Sequence, residues 1–557
     1  MKGAAEEMTP AATPLARGGR APLRLADWRF LLPQPPDGYF RHLVLLGASS
    51  GLAERLIELG LARRVSDSIP PERSADAVVA LHGSRAALPE IAGCLTPGGV
   101  LYLEIDRRAA GYLASTPTRL RRALQRAGLS PTAMYAVVPE FSDHRMYLPL
   151  DVPGALRWYV TTLRSALTLW QQVIQAGLWA VTNLNSRRFA PLAPRLAVTA
   201  VAGRGPSAPA SVLADPALPP ALRRPGLRPL LLTAGGDRVV MLPFDLAGNE
   251  PEAVLKVPRL PGFNGRTQND QAALRKLWSV LDSATRSGVP RPLGLLRYGE
   301  VTVAVESYAR GQLLARSSER WATSRGEKLN DLRLAARWLT DFHLQTQIAR
   351  SAWGPAERAE WLEGPCDAYR RAFGLTASED GLFAKAREYA ASLPDSPFPI
   401  VVQHRDFTVW NIARAGRELA VLDWEGSRRG PALCDLLHFV THWYETVHHA
   451  HTEAGRQGCF RRLMFEPDRR DPFRAAVRGE ITRYMERLGI HRAFFPVLLL
   501  YTWIELALRR SEQQRVQGES PPASREGNRN FAFVAILAGH ADLLFAECHS
   551  GEQAQWP

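Results

Sequence analysis

Cysteine is scarce in this chain: five in 557 residues (Cys94, Cys366, Cys434, Cys459 and Cys548), an odd number with wide separations. That pattern excludes a disulfide framework and the paired ligands of a small zinc site, and it fits reduced thiols in a cytoplasm. The N-terminus lacks a basic start followed by an apolar core, so no secretory leader is expected and the location is read as cytoplasmic. Internal repeats are absent, which excludes solenoids and propellers. The net charge is +14, yet blocks of Lys/Arg with interleaved aromatics are missing. The scattered Arg therefore read as a solvated face plus residues that handle phosphate, and nucleic acid is not expected as a partner. Charge itself is absent from Ser165 to Ser186. Gln171, Gln172, Gln175, Asn183 and Asn185 interrupt that stretch, and amides are expensive in hydrocarbon, which argues against a membrane span. With Trp158, Leu163, Leu167, Trp170, Ile174, Leu178 and Val181 at mostly helical spacing, 154–185 reads as a buried interface helix. Peripheral membrane contact is the less favoured alternative.

A chain of this length exceeds what one hydrophobic core usually supports, so several domains are expected. Residues 1–40, rich in Ala, Pro and Arg, read as a loose lead-in, and the Pro/Ala/Gly-rich stretch 204–228 reads as a linker. Between them, 41–203 reads as an α/β domain, opening with an apolar strand (Leu43–Leu46), a small-residue turn (Gly47–Gly51) and a helix (Leu52–Gly60). Leu196–Val201 would close this domain as an edge strand. After residue 229 the pattern changes to short strands. Leu230–Thr233 and Arg238–Phe244 flank a turn at Ala234–Asp237, a hairpin signature, and Glu252–Val257 reads as a third strand.

The densest chemistry lies at Val401-Val402-Gln403-His404-Arg405-Asp406-Phe407-Thr408-Val409-Trp410-Asn411-Ile412, followed by Leu419-Ala420-Val421-Leu422-Asp423-Trp424-Glu425. Two apolar runs flank a turn and gather polar groups at their ends. Asp406 can accept a proton from an alcohol held within hydrogen-bond reach. Asn411 and Asp423 offer the oxygen ligands that a hard, octahedral Mg²⁺ prefers. The spacing H-x-D-x-x-x-x-N, then an Asp closing the next strand, is that of a phosphoryl-transfer loop and its metal-binding Asp.

These residues resemble the aminoglycoside phosphotransferase and choline kinase family, and Gly430-Pro431 and Asp435-Leu436 extend the likeness. The resemblance covers roughly 229–545. It implies a bilobal, α+β protein-kinase-like domain with an N-lobe over 229–320, a C-lobe over 321–547 and a tail over 548–557. It further implies ATP and Mg²⁺ as cofactors and transfer of the γ-phosphoryl group to a hydroxyl of a small molecule: a sugar, an aminoglycoside-like compound or an amino alcohol, in one version a surface-glycan precursor. In this framework Lys256 neutralises the α/β-phosphates, Asp270 pairs with Lys256, and the hairpin at Gly235 and Gly236 covers the phosphates. The backbone around Glu306 and Tyr308 contacts adenine. Asp406 is the catalytic residue, Asn411 and Asp423 hold the metal, and His404 and Asp435 brace the loop. Arg405 stands where the antibiotic kinases usually have Gly. The absence of Asp-Phe-Gly and Ala-Pro-Glu argues against a protein kinase.

Leu95-Thr96-Pro97-Gly98-Gly99 resembles the Leu-x-Pro-Gly-Gly turn of class I methyltransferases, and Gly47 to Gly51 stands where their cofactor loop would be. That likeness implies a Rossmann-like domain, with Gly47, Gly51 and Asp67 as candidates for an S-adenosylmethionine site. Ser49 and Ser50 occupy the loop where a glycine is usual, so a domain that keeps the fold without the cofactor is the alternative. Two other functions stay open for the whole chain: a catalytically inactive kinase-like scaffold, and a methyltransferase with a regulatory kinase-like module.

Overall fold

The computed structural model describes residues 23–33, 37–48, 51–82, 86–110, 116–163, 193–203, 211–224, 226–394, 396–466, 470–516 and 528–546. Its organising feature is a single sheet of 12 strands in the order β11-β12-β10-β9-β8-β6-β5-β7-β4-β3-β1-β2. The strands are β1 (Phe40–Leu46), β2 (Ala62–Ser66), β3 (Ala75–Ala80), β4 (Leu95–Asp106), β5 (Leu129–Val138), β6 (Met146–Pro149), β7 (Arg195–Ala202), β8 (Arg228–Leu232), β9 (Arg238–Phe244), β10 (Val254–Pro258), β11 (Pro292–Tyr298) and β12 (Val301–Glu306). β2, β1, β3 and β4 run parallel, while the remaining pairings are antiparallel. The central runs of β1 and β3 are apolar on both faces (Leu43–Leu46, Ala77–Ala80), as expected where both sides of a sheet are covered.

Two readings change here. Residues 195–202 form a central strand, with β7 lying antiparallel between β4 and β5 rather than at an edge. An apolar run of six or seven residues marks a buried strand without giving its neighbours, which is why the order was not legible. The boundary near 204–228 separates the two halves along the chain but not in the sheet. Met146 and Tyr147 of β6 pair with Leu232 and Leu231 of β8, so hydrogen bonding runs unbroken from one half to the other.

The stretches read as loose are packed where they are described. Short 3₁₀ turns at Asp27–Leu31, Ser211–Ala214 and Pro220–Leu222 lie over one face of the sheet. There Trp28, Phe30, Leu31, Val212, Leu218 and Leu222 join Leu45, Val79, Met241, Leu255 and Val303 in one core. Most of 154–185 falls outside the described residues. Its beginning, the helix Pro153–Trp158, buries Trp158 against Phe244 and Tyr308.

The C-terminal lobe is mostly helical and has its own core, built around Phe342, Trp424, Phe439, Trp443 and Leu498–Leu500. Small strands carry its functional loops: β13 (Gln312–Leu313), β14 (Ala349–Ser351), β15 (Phe398–Gln403), β16 (Ile412–Ala415), β17 (Glu418–Val421) and β18 (Arg428–Pro431). β15 pairs with β14 and β18, and β16 pairs with β17 and β13. Among the described residues, no single helix is long and apolar enough to cross a membrane.

Candidate active site

The loop from β15 to β16 is held open from behind. Asp435, buried at the start of the helix Cys434–Val447, accepts the backbone N–H of His404 at 2.6 Å and of Arg405 at 2.7 Å. Arg405 takes a left-handed backbone (φ 65°), where a non-glycine residue is costly, so the Asp435 bonds have strain to offset. His343 Nε2 lies 3.4 Å from Asp435, and His343 Nδ1 bonds the Tyr484 hydroxyl, which in turn accepts the Leu433 N–H. Burial would raise the Asp435 pKa, but hydrogen bonding and charge from His343, with His404 adding, outweigh it and hold the carboxyl below its ordinary range. His404 spans the loop, with Nε2 2.8 Å from the Leu422 carbonyl and Nδ1 accepting the Asp406 N–H at 3.2 Å. That pattern fixes the neutral tautomer with the proton on Nε2, and burial keeps its pKa below the usual value. His404 and Asp435 therefore stand where a brace is needed.

Asp406 and Asn411 meet at the front of the loop. Asn411 Nδ2 donates to the Asp406 carbonyl at 2.9 Å and to Asp406 Oδ2 at 3.0 Å, which leaves Asn411 Oδ1 as the atom available to a cation. The Asn411 carbonyl accepts the Leu422 N–H, tying the loop to the segment that ends at Asp423. Asp423 is also left-handed (φ 69°).

Lys256 sits on β10 in register with Val240 of β9 and Ala304 of β12. Alternation along the strand turns Leu255 and Val257 into the core shared with the N-terminal half and Lys256 to the opposite face. Its Nζ lies 2.7 Å from Asp270 Oδ2, 3.2 Å from Glu306 Oε2 and 4.0 Å from Asp423 Oδ1. Asp270, on the helix Asn264–Val280, uses its other oxygen to accept the Trp424 N–H at 3.0 Å. The shorter Asp thus reaches Lys256 and also fastens the helix beside Asp423. Burial disfavours the Lys256 charge, but Glu306 and Asp270 outweigh it and raise its pKa. Glu306, expected to act through its backbone, instead turns its carboxyl to Lys256; burial pushes that carboxyl up.

Sequence reasoning missed Arg238, the first residue of β9. Its Nη2 lies 2.8 Å from both Asp423 oxygens, and its Nη1 bonds Glu425. Burial alone would raise the Asp423 pKa, but Arg238 and then Lys256 hold it far below the carboxylate range. Arg238 and Lys256 thus favour the ionised form of Asp423. Asp423 and the Asn411 amide each offer oxygen atoms, the donor type that Mg²⁺ prefers. The hairpin turn at Gly235 and Gly236 lies next to Arg238, and Arg259 bonds the carbonyls of Thr233 and Gly235. Tyr308 accepts a 2.6 Å hydrogen bond from Trp158 Nε1, linking the segment after β12 to the N-terminal half.

In the N-terminal half, Gly47 and Gly51 have positive φ (75° and 89°), and Asp67 is exposed directly after β2, next to β1. Ser49 and Ser50 lie outside the described residues. Gly47 and Asp67 follow the same ends of the neighbouring parallel strands β1 and β2. Of the histidines after the loop, His449 stacks on Trp321, whereas His448 lies 3.4 Å from Asp471. Among the described residues, no group of three or more His, Cys, Asp or Glu is placed to hold a metal.

Glu445 is buried on the same helix as Asp435, and burial pushes its carboxyl up to about 7 although Arg529 and Arg456 pull it down. Between about pH 4.3, the value in an unfolded chain, and about 7, the folded protein then binds the extra proton. Stability from this group is complete at the acid end of that window and is lost as pH rises through it. Glu445→Gln is therefore expected to flatten the decline in stability between pH 5 and 7, read from thermal unfolding at several pH values.

Residues 244–473 match the model of the phosphotransferase enzyme family. Over this segment the chain is similar to that family. The matched segment contains Lys256, Asp270, Asp406, Asn411, Asp423 and Asp435, while Arg238 and the hairpin at Gly235 and Gly236 lie just before it and Tyr484 after it. A thermostable mutant of aminoglycoside phosphotransferase APH(4)-Ia, in ternary complex with AMP-PNP and hygromycin B, aligns at 17% identity over 58% of this chain and 95% of its own, with a TM-score of 0.35. A glucosamine kinase in complex with glucosamine, ADP and inorganic phosphate aligns at 16% identity over 59% of this chain and 80% of its own, TM-score 0.33. A choline/ethanolamine kinase family protein from Mesorhizobium loti aligns at 17% identity over 58% of this chain and 98% of its own, TM-score 0.29. Among curated proteins no match is found. The matched region thus has a protein-kinase-like fold, and the comparisons do not show the methyltransferase likeness of the N-terminal half.

Proposed function

We propose that the phosphotransferase region transfers the γ-phosphoryl group of ATP to an alcohol of a small molecule. The observation that carries this reading is the convergence of Asp406, Asn411, Asp423 and Lys256 across both lobes, with Lys256 4.0 Å from Asp423 and Asn411 3.0 Å from Asp406. Asp406 orients the acceptor hydroxyl and takes its proton as the oxygen–phosphorus bond forms. The bond from the γ-phosphorus to the β–γ bridging oxygen breaks, and ADP leaves with the electron pair. Lys256 and the hairpin at Gly235 and Gly236 hold the phosphates, while the chain around Glu306 to Tyr308 borders the adenine. Asn411 and Asp423 are the residues that would hold Mg²⁺, which when bound neutralises charge on the β- and γ-phosphate oxygens. Little covalent work falls to the protein, so positioning and charge are chemically sufficient.

The N-terminal half serves this site as a support, with its sheet continuing into the N-lobe through β6 and β8 and Asp27 anchoring Arg259. No methyl-transfer step is assigned to it. The test of the main reading is Mg·ATP turnover by the intact chain against sugars, sugar phosphates, aminoglycosides and amino alcohols. Acceptor-dependent ADP release with a phosphorylated product is expected. A folded protein that binds no nucleotide would establish the inactive scaffold instead.

A further inference from the structure

Asp406 opens onto a cavity of about 400 Å³ that is separate from the Lys256 cluster. Four helices wall it. Arg509 and Arg510 come from Phe495–Val516, Arg529 and Asn530 from Arg529–Gly539, Arg456 from Glu453–Met464, and His438 from Cys434–Val447. Against these four guanidinium groups, Asp406 is the one carboxylate in the lining.

Neighbouring charges leave much of that cation density unspent. Glu505, one turn before Arg509, is taken by Arg405 and Arg428. Glu445 stands 3.9 Å from Arg529, and its raised pKa gives it only part of a charge near neutrality. Arg509 donates to the Arg405 carbonyl and Arg456 to the Ala450 carbonyl, contacts that place these side chains without neutralising them. Arg510 is exposed and has no hydrogen bond or ion pair among the described residues. Two further groups in the lining point to a polar ligand. His438 is 5% exposed with Nδ1 unpaired, and Asn530 is 8% exposed with Oδ1 unpaired. Buried polar atoms left without partners are costly unless a ligand or water satisfies them.

The geometry points to an acceptor that carries an anionic group, a phosphate or a carboxylate, beside the hydroxyl that meets Asp406. This rests on the phosphotransferase reading and narrows its substrate class. Guanidinium groups match the planar, two-pronged geometry of both anions, and a cavity of this size admits a monosaccharide with one such group. The same four cations repel the ammonium groups of an aminoglycoside or an amino alcohol. Arg456, Arg510 and Arg529 receive the anion, and His438 Nδ1 and Asn530 Oδ1 are free for hydroxyls of the acceptor.

The experiment uses the intact chain with the nucleotide site first titrated by a non-hydrolysable Mg·ATP analogue. Glucose, glucosamine, glucuronate and glucose 6-phosphate are then titrated calorimetrically into wild-type protein and the Arg510→Gln/Arg529→Gln variant, with thermal unfolding confirming that the variant folds. Binding of one or both anionic hexoses at least about tenfold tighter than glucose and glucosamine, abolished in the variant, is the expected result. The two anionic arms separate a phosphate site from a carboxylate site. Tighter binding of glucosamine, absence of preference for either anion, or anion binding that persists in the variant overturns the inference. Nucleotide binding without anion preference defeats the inference alone. Anion binding without nucleotide binding keeps the anion site and defeats the phosphotransferase reading.

Discussion

Asp406→Asn is expected to lower acceptor-dependent ADP release by about 10²–10⁴-fold, the range for loss of a positioned general base. The substitution keeps the size of the side chain and removes its charge and its ability to take a proton. Asp406 is held by Asn411 Nδ2 and, through its backbone, by His404, contacts that an amide oxygen and the same backbone N–H can keep. The unfolding midpoint and the affinity for ATP are thus expected to stay close to wild type while kcat falls. Steady-state kinetics with the best acceptor, run beside a thermal melt, separates these outcomes. A variant that keeps wild-type kcat would remove Asp406 from the chemistry.

Asp27→Ala carries the largest expected effect on stability. Asp27 and Arg259 are both fully buried, joined by bonds of 2.9 Å and 2.6 Å, although 231 residues lie between them along the chain. Burial alone would raise the Asp27 pKa; Arg259 and His144 outweigh it and keep the carboxyl ionised. Removing the carboxylate strands the Arg259 charge in the core, a loss of about 3–5 kcal/mol. The damage reaches the site, because Arg259 also holds the carbonyls of Thr233 and Gly235 at the hairpin proposed to hold the phosphates. Denaturant unfolding should show the lower midpoint, and the KM for ATP should rise. The double variant Asp27→Ala/Arg259→Met should recover part of the stability, since it removes the stranded Arg259 charge, while the buried Arg29, 3.9 Å from Asp27, still loses that carboxylate. Equal loss in single and double variants would show that the pair is not the tie.

The catalytic loop was legible because its chemistry is local. His404, Asp406 and Asn411 lie within eight residues, and the apolar runs around them set the strands that hold them. Lys256 with Asp270 was legible too, through the family's order of strand and helix. What the sequence hid was long-range. Arg238 reaches Asp423 across 185 residues, and nothing in the run Gly236-Asp237-Arg238 distinguishes it from a surface arginine. The arginines of the acceptor cavity come from three helices, and a doublet such as Arg509-Arg510 does not tell which face it serves. Asp27-Trp28-Arg29-Phe30-Leu31-Leu32 did carry a core signal, but the Ala/Pro/Arg composition around it masked the run. Only the sheet, by continuing from β6 to β8, shows what that segment packs on.

The most direct test of the account does not need the acceptor. ATP is titrated into the intact chain with and without Mg²⁺, for wild type and for Lys256→Met. Saturable, Mg²⁺-strengthened binding by wild type and markedly weaker binding by Lys256→Met are expected if that cation meets the phosphates as proposed. A folded wild-type protein that binds ATP neither with nor without Mg²⁺ would contradict the account.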